Sequence, residues 1–301
     1  MIDEAFLHFE GIGPARLEKL NKNGIRSWYD AVADPDRLPA AKRDNLLRAL
    51  DENIHALESR DVGFFADRLA GPDRWRLLSE FLEETSYFDI ETFGLEYDAP
   101  ITTIVVWHKG EVHSFVEHEN LDDFLELLED VRLMASFNGA SFDVPRVLDA
   151  FHIPTFPCPH IDLRWLAFHK GMRGGLKEIT VRAGVRRPSD LADADGALAI
   201  KLWSRWIHFQ DSTAREQLIR YCAADVILLV FLAQQLGERP DFDTSTIWSK
   251  LPELTDTAET DDSDSCTNRV LPLGESGQAR KSPESPFGNG SPSRLRARRT
   301  G

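Results

Sequence analysis

The chain has 301 residues, of which 42% are hydrophobic, and a formal net charge of −15 at pH 7. This content is sufficient for a full hydrophobic core, and the length indicates one main domain with an accessory unit. Because nucleic acids are polyanions, the negative charge excludes a protein that binds them by bulk charge alone, so any such binding must use local basic patches.

The cysteines and the apolar runs indicate the compartment. Cys158, Cys222 and Cys266 lie far apart and form no C-x-x-C pair, which argues against a disulfide framework and a structural zinc site. A reducing, cytoplasmic location is therefore expected. The N-terminus lacks the apolar core of a signal peptide, and the longest apolar run, near residues 226–233, is too short to cross a bilayer. No membrane partner is expected.

The first 50 residues have a pattern of their own. A Gly-Ile-Gly turn at Gly11 and Gly13 precedes a helical pattern, and a second turn at residues 23–25 precedes another. This order resembles a single helix-hairpin-helix unit, which implies that the glycine amides contact a DNA or RNA phosphate without reading sequence. Lys19 would supply positive charge beside them. A small helical bundle that only packs on the main domain is the alternative.

The rest of the chain divides into three parts by composition. Residues 51–84 are charged and helix-leaning, and are predicted to form a helical connector. Residues 85–238 alternate short strand and helix patterns and are predicted to form the main domain. Residues 239–301 are rich in acidic residues, Ser, Pro and Gly, cannot bury a core, and are predicted to be a disordered tail.

The main domain is predicted to have an α/β fold. After a strand within residues 86–95, a β-branched run at residues 101–108 and a second run at residues 111–116 flank a Lys-Gly turn and predict a hairpin. Strands near residues 133–137 and 160–163 then alternate with helices. Three antiparallel strands followed by parallel ones predict a mixed sheet with helices on both faces, next to a small all-α N-terminal unit.

Asp89 and Glu91 in the first strand are the first candidate site residues. Acidic residues are uncommon in strands, and two of them one residue apart project from the same face of the pleat. Two anions so close together repel, so a fold that keeps them needs a positive partner, for which a divalent metal is the natural candidate. The alternative is an edge strand whose polar face meets water.

Two further acids extend this candidate set. Asp143 lies at a strand-to-helix junction in NGASFDVP, where open α/β sheets place their ligands. Tyr221 and Asp225 are four residues apart and share one face of an otherwise apolar helix. Taken singly, Asp143 could be a helix cap and Asp225 could pair with an arginine. Asp162 could be a fifth acid or the cap of the helix that follows it.

The three motifs together resemble the DEDD superfamily of metal-dependent 3′→5′ exonucleases, in its tyrosine subtype, and more narrowly the YprB-type ribonuclease-H-like domain. The resemblance covers about residues 60 to 236 and implies a ribonuclease-H-like fold. The residues that match the three family motifs are Asp89 and Glu91 in D-x-E, Asn138, Phe142 and Asp143 in N-x-x-x-F-D, and Tyr221 and Asp225 in Y-x-x-x-D.

A four-carboxylate site of this kind suits two Mg²⁺ or Mn²⁺ ions about 4 Å apart. Asp89 would bridge both ions, Glu91 and Asp225 would complete the coordination of one, and Asp143 would act on the other. Tyr221 would orient or help to deprotonate the attacking water. The expected contacts to the terminal nucleotide are Thr92, Asn138 and Phe142. Lys177 and Arg173 could contact the phosphate backbone, but they are interpreted as solvated surface cations.

The expected partner is nucleic acid, with a single-stranded 3′ end as the expected substrate and nucleoside 5′-monophosphates as the expected products. DNA and RNA are not distinguished, and the oligomeric state is left open. Two alternatives belong to other classes: a nucleic-acid-binding module that has lost turnover, and an endonuclease of the ribonuclease H type. The complete set of four carboxylates counts against the first, and the Y-x-x-x-D motif counts against the second.

Overall fold

The computed structural model describes residues 1–255 except residues 95, 97 and 193. The described residues belong to one compact unit, Met1–Thr257. Most of the predicted tail, residues 256–301, lies outside the described residues. The described part of the predicted tail, before residue 256, is packed on the main domain, since the side chains of Ile247 and Leu251 are buried in the main core.

The main domain is built on a five-stranded mixed sheet in the order β3-β2-β1-β4-β5. Its strands are β1 (Thr85–Thr92), β2 (Ile101–His108), β3 (Glu111–Val116), β4 (Leu133–Ser136) and β5 (His160–Asp162). Strands β1, β2 and β3 pair antiparallel, whereas β4 pairs parallel with both β1 and β5. This arrangement confirms the predicted mixed sheet, including the bounds of the hairpin strands β2 and β3.

Helices cover the sheet and form the N-terminal part. The N-terminal helices are α1 (Pro14–Lys22), α2 (Trp28–Ala33), α3 (Arg43–Glu58), α4 (Val62–Arg68) and α5 (Arg76–Phe81). The later helices are α6 (Asp123–Leu128), α7 (Asp143–Ala150), α8 (Leu163–His169), α9 (Leu176–Arg182), α10 (Gly196–Phe209) and α11 (Ser212–Leu236). The predicted all-α N-terminal part is confirmed. Among the described helices, none is both long and apolar enough to cross a membrane.

Side-chain alternation along β1 produces two hydrophobic cores. Tyr87 points to the core that contains α11, and its neighbour Phe88 points to the opposite core, which α6 and α7 cover. Helix α11 contacts β1, β2 and the helices α5, α8, α9 and α10. Because α11 is covered on nearly all sides, it is apolar around most of its circumference. Polar side chains on its sheet-facing side are therefore held in a largely dry environment.

The N-terminal helices pack on the main domain through aromatic side chains. Trp28 is fully buried, its indole N–H donates to the Ala5 carbonyl at 2.6 Å, and its ring stacks on Phe65 at 6.0 Å between centroids. Phe65 in turn contacts Phe81 at 6.0 Å. The same aromatic core therefore continues from α2 through α4 to α5, which contacts α11.

The glycine-rich start of the chain differs in detail from a complete helix-hairpin-helix unit. Before Gly11, the described residues contain a three-residue 3-10 helix, Ile2–Glu4, and turns. Helix α1 begins directly after Gly13, which is its N-cap residue. The predicted helix–turn–helix order is present in α1 and α2, and the helix-hairpin-helix assignment stays a prediction.

Gly237, at the end of α11, should be intolerant of a side chain. A Cβ atom there would lie 2.9 Å from the backbone carbon and oxygen of Leu78 in α5. Gly237→Ala should lower the free energy of unfolding by about 1–3 kcal/mol, because the two helices cannot both keep their positions. Equilibrium urea denaturation measures this change.

Gly196→Ala is the matched control for this prediction. Gly196 is the first residue of α10, and apart from its chain neighbours and the backbone of its own helix turn, no atom of the described residues lies within 4 Å of the position that its Cβ would take. Its replacement should change the free energy of unfolding by less than about 0.5 kcal/mol. Equal stability of the two variants would contradict the close packing of α5 and α11.

Candidate active site

The two acids of β1 face α11. Asp89 and Glu91 alternate with Ile90, whose side chain is buried in the opposite core, so both carboxylates share the face of Tyr87. Both are partly buried. The register with β2 shifts directly after Glu91. The two acids therefore share one face of β1, as the two-residue period of a strand predicts. They lie at the point where the regular pairing of β1 with β2 ends.

Asp143 reaches β1 from the neighbouring strand connection. It is the first residue of α7, after the turn that follows β4, and only 4% of it is exposed. Its Oδ1 accepts a hydrogen bond from the backbone N–H of Ile90 at 3.3 Å. The carboxylate is therefore held against the strand between Asp89 and Glu91.

Gly139 makes this approach of Asp143 possible. A Cβ on Gly139 would lie 1.9 Å from Ser136 Oγ and 3.0 Å from Asp143 Oδ2. The Gly139 carbonyl accepts the N–H of Val144 at 2.9 Å, which fixes the start of α7. A residue with no side chain is thus required at this turn, since the chain passes directly over the end of β4.

Helix α11 supplies the third side of the cluster. Tyr221 and Asp225 are buried on it, one turn apart. Between them, Cys222 places its Sγ 3.6 Å from Asp89 Oδ2 and 3.5 Å from the Asp89 carbonyl oxygen. Possible ligand atoms of Asp89, Glu91 and Cys222 all lie within 4.8 Å of one another. Residues far apart in the chain therefore meet in one cleft.

The acids of this cleft destabilise one another's charged forms. The pKa of Asp89 is raised well above its usual range by burial and by the charges of Asp143, Glu91 and Asp225. Burial and the charge of Asp225 raise the pKa of Glu91 to about 8, and burial raises that of Asp143 to about 7. Burial also raises the pKa of Asp225. All four carboxylates thus form one coupled cluster, which a cation would stabilise.

The donor set fits a hard divalent cation. Carboxylate oxygens are the ligands that Mg²⁺ and Mn²⁺ prefer, and Asp89 and Glu91 present theirs close together. Cys222 is unsuited to be a ligand here, because burial and the charge of Asp89 raise the pKa of its thiol well above the usual value. A protonated thiol donates to Asp89 and helps to position it.

Two cations lie beside the acids. No sequence pattern identifies Arg187 as a site residue, and Lys177 is predicted to be a solvated surface residue. Arg187 forms an ion pair with Asp225, and only 3% of its side chain is exposed. Lys177 was interpreted as a solvated surface cation, but it is partly buried, and its Nζ lies 5.4 Å from the centroid of the Tyr221 ring. The arginine partner considered for Asp225 therefore exists, in addition to the neighbouring acids.

The predicted substrate contacts occupy different environments. Thr92 Oγ1 donates to the Gly94 carbonyl at 2.6 Å, and the Phe142 ring packs under the Arg146 guanidinium at 4.3 Å. Asn138 has a left-handed backbone with φ of 69°, and its side-chain oxygen accepts a hydrogen bond from Arg164. Of these predicted contacts, Asn138 is the one that lines an open groove, which is described below.

Asp162 caps the start of α8, which is one of the two roles that the sequence leaves open for it. Its carboxylate accepts the backbone N–H of Arg164 at 2.9 Å, of Asn138 at 2.8 Å and of Ala140 at 3.2 Å. These bonds tie the start of α8 to the turn after β4. Asp162 therefore positions the turn that carries Asn138 and precedes Asp143.

The groove beside Asn138 has a volume of about 380 Å³. Its lining residues are Phe137, Asn138, Arg164, Phe168, Met172, Arg173, Gly174 and Gly175. Phe168 is 43% exposed, and the Arg173 guanidinium lies 4.0 Å from the centroid of its ring. Arg173 is exposed, as predicted for this residue. The groove thus combines an exposed aromatic ring with arginine side chains.

The residues of the N-terminal unit that are predicted to contact nucleic acid lie on different elements from the four acids. Gly11, with φ of 78°, and Gly13 are exposed at the start of α1, and the Gly11 carbonyl accepts a hydrogen bond from Arg16. Lys19 is exposed on the same helix. These residues belong to the N-terminal helices, whereas the acids belong to β1, α7 and α11.

A family model for the RNase_H superfamily matches residues 86–237, which is half of the chain. The chain belongs to the ribonuclease H superfamily. The matched residues include the whole acidic cluster, and the mixed sheet is consistent with the fold of the superfamily. Membership in this superfamily supports a nuclease.

Comparison with individual proteins adds a distant similarity. The family B DNA polymerase from the hyperthermophilic archaeon Pyrobaculum calidifontis is 18% identical in sequence, with a TM-score of 0.42. The match covers 50% of this chain and 24% of the polymerase, so the chain corresponds to about a quarter of that protein's length. No curated protein matches the chain.

The stability of the metal-free protein should fall as the pH rises from about 5 to about 8. In the folded chain Glu91 holds its proton up to about pH 8 and Asp143 up to about pH 7, against ordinary values of 4.5 and 3.8. The folded state then binds more protons than the unfolded state. Its free energy of unfolding therefore decreases, by up to about 1.4 kcal/mol per pH unit for each proton.

Chemical denaturation in EDTA at a series of pH values measures this dependence. Glu91→Gln cannot ionise at this position. The slope of its free energy of unfolding against pH should therefore be smaller than the wild-type slope by the contribution of about one proton. Glu52→Gln, at an exposed position of α3, is the matched control and should keep the wild-type slope. Parallel profiles for wild type and Glu91→Gln would contradict the raised pKa.

Proposed function

We propose that the protein is a metal-dependent 3′→5′ exonuclease that hydrolyses phosphodiester bonds of DNA or RNA and releases nucleoside 5′-monophosphates. Within the superfamily, we assign it to the tyrosine subtype of the DEDD group and to its YprB-type branch. The observation that carries this proposal is the convergence of four carboxylates from β1, α7 and α11, whose pKa values are raised at one cleft.

Asp89, Glu91, Asp143 and Asp225 would hold two Mg²⁺ or Mn²⁺ ions. Bound ions of this kind supply an activated water and stabilise the charge on the leaving oxygen. The chain itself contributes the placement of the ligands. Ile90 N–H holds Asp143, and the Cys222 thiol contacts Asp89. Glu91 and Asp225 approach from the strand and the helix on either side.

The surroundings of Tyr221 favour a role in orienting the attacking water over a role in removing a proton from that water. Burial and the charges of Glu91 and Asp225 raise the pKa of its phenol above the ordinary value of 10.0, and Arg187 only partly opposes this shift. A neutral phenol can donate a hydrogen bond to the attacking water or to a phosphate oxygen. The role of Tyr221 as a general base is therefore less favoured than its role in orienting the water.

The groove at Asn138 supports a single-stranded substrate. An exposed ring such as Phe168 can stack on an unpaired base, and the guanidinium of Arg173 beside it can contact the backbone. Both interactions tolerate any base sequence. Because the turn of Asn138 leads directly to Asp143, a strand in this groove would have one of its ends directed towards the carboxylates.

The N-terminal helices would add a second contact to the nucleic acid. The start of α1 at Gly13 is exposed, and Lys19 is exposed farther along the same helix. Backbone amides at a helix start and a nearby lysine suit a phosphate group. This contact would increase affinity without adding base specificity.

Removal of one carboxylate should abolish turnover and leave the fold intact. Asp89→Asn and Asp143→Asn should each lower kcat at least about 100-fold, because a ligand charge is lost. Asp149→Asn, at an exposed position of α7, is the matched control and should keep wild-type activity. The assay uses 3′- and 5′-labelled single strands of DNA and RNA with Mg²⁺, Mn²⁺ or EDTA.

The products of this assay decide between the classes of activity. Mononucleotides that appear from the 3′ end, and that disappear in EDTA and in both site variants, support the proposal. Internal fragments would contradict it in favour of an endonuclease. Binding of the strands without cleavage in any metal would contradict it in favour of a binding module.

Loss of the aromatic ring in the groove should weaken substrate binding more than the chemical step. Phe168→Ala should raise KM for a single strand about 10-fold with little change in kcat, because a stacked base contributes about 1–3 kcal/mol. Phe209→Ala is the control, since Phe209 is 78% exposed and lies at the end of α10 outside this groove. Equal KM values for the two variants would contradict the path of the strand.

A further inference from the structure

Arg187 is a buried cation within the acidic cleft. Its guanidinium pairs with Asp225 Oδ1, lies 4.7 Å from the centroid of the Tyr221 ring, and donates from Nη1 to the Ala194 carbonyl at 3.1 Å. A buried arginine is costly unless its charge is paired. Its position therefore depends on the negative charge of the cleft, with Asp225 as its direct partner.

Lys177 approaches the same corner from α9. Its Nζ donates to the same carbonyl of Ala194, and its charge acts on both Asp225 and Glu91. The segment just before α10 thus holds two cations against the α11 side of the acidic cluster. Arg187 makes the direct contact with a carboxylate, and Lys177 supports it at longer range.

Arg187 is paired with one of the two oxygens through which Asp225 could hold a metal ion. A divalent ion coordinated by Asp225 takes a carboxylate oxygen, and Oδ1 is the oxygen to which Arg187 is paired. A guanidinium and a divalent ion on the same carboxylate repel each other, and this repulsion is weakly screened because the side chains of Arg187 and Asp225 are largely removed from water. Binding of an ion to Asp225 must therefore weaken or displace the guanidinium.

We infer that Arg187 is a resident cation of the site, which competes with a divalent ion for Asp225 and thereby lowers the affinity of the site for metal. In the metal-free protein, Arg187 holds Asp225 and Tyr221 in place against the repulsion of the other acids. This inference rests on the proposed function for the presence of a metal at Asp225. It assigns Arg187 a positioning role and no contact with the reacting atoms.

Metal binding to three variants tests this competition. Isothermal titration with Mn²⁺ alone should give Arg187→Gln an affinity about 10-fold or more above that of the wild type, because the ion pair with Asp225 no longer opposes binding of the metal ion. Arg187→Lys should lie between the two, since it keeps the charge and loses the planar fork. Arg186→Gln, an exposed neighbour, should match the wild type.

Thermal unfolding supplies a second readout that does not depend on turnover. In EDTA, Arg187→Gln should have a lower Tm than the wild type, since Asp225 loses its partner, and saturating Mn²⁺ should remove most of this difference. If Arg187→Gln does not fold, the Arg187→Lys variant carries the test. An Mn²⁺ affinity of the foldable variant that equals or falls below the wild-type value would overturn the inference.

Asp225→Asn separates this inference from the proposed function. If the wild type binds Mn²⁺ and Asp225→Asn binds it at least about 10-fold more weakly, Asp225 is a ligand, and the Arg187 variants alone decide the competition. If Asp225→Asn binds Mn²⁺ as the wild type does, the competition at Asp225 is overturned. If the wild type binds no Mn²⁺, the metal assignment itself fails, and the inference fails with it.

Discussion

The mutual repulsion of four carboxylates is the constraint on which the site depends. Burial raises the pKa of all four, and neighbouring acids raise those of Asp89 and Glu91 further. Each carboxylate is fixed by an element that is packed for other reasons: a central strand, a helix start and an apolar helix. The cleft is thus preorganised for a cation, because the packing of the core offsets the cost of assembling the charge.

Helix α11 couples this site to the rest of the molecule. It packs on β1 and β2 and also on α5, which joins the aromatic core of the N-terminal helices through Phe81. The position of Asp225 is therefore determined along the whole length of α11, up to the contact of Gly237 with Leu78. The N-terminal helices consequently support the geometry of the cleft in addition to any contact with nucleic acid.

The strands and the acidic residues could be predicted because their signals are local. The β-branched run of β2 is typical of a buried strand, and the shared face of Asp89 and Glu91 follows from the two-residue period of a strand. The contacts of Arg187 and Cys222 could not be predicted, because both depend on which elements meet in three dimensions. Arg187 lies in an irregular segment with no periodic pattern, and its burial follows only from the position of α11.

The most direct test of the account is a crystal structure of the protein soaked in Mn²⁺, with anomalous difference density measured at the manganese edge. We expect anomalous peaks within coordination distance of Asp89, with Glu91, Asp143 and Asp225 as the other carboxylate ligands. Absence of a peak at these residues, at an Mn²⁺ concentration that supports cleavage of a single strand, would contradict the account.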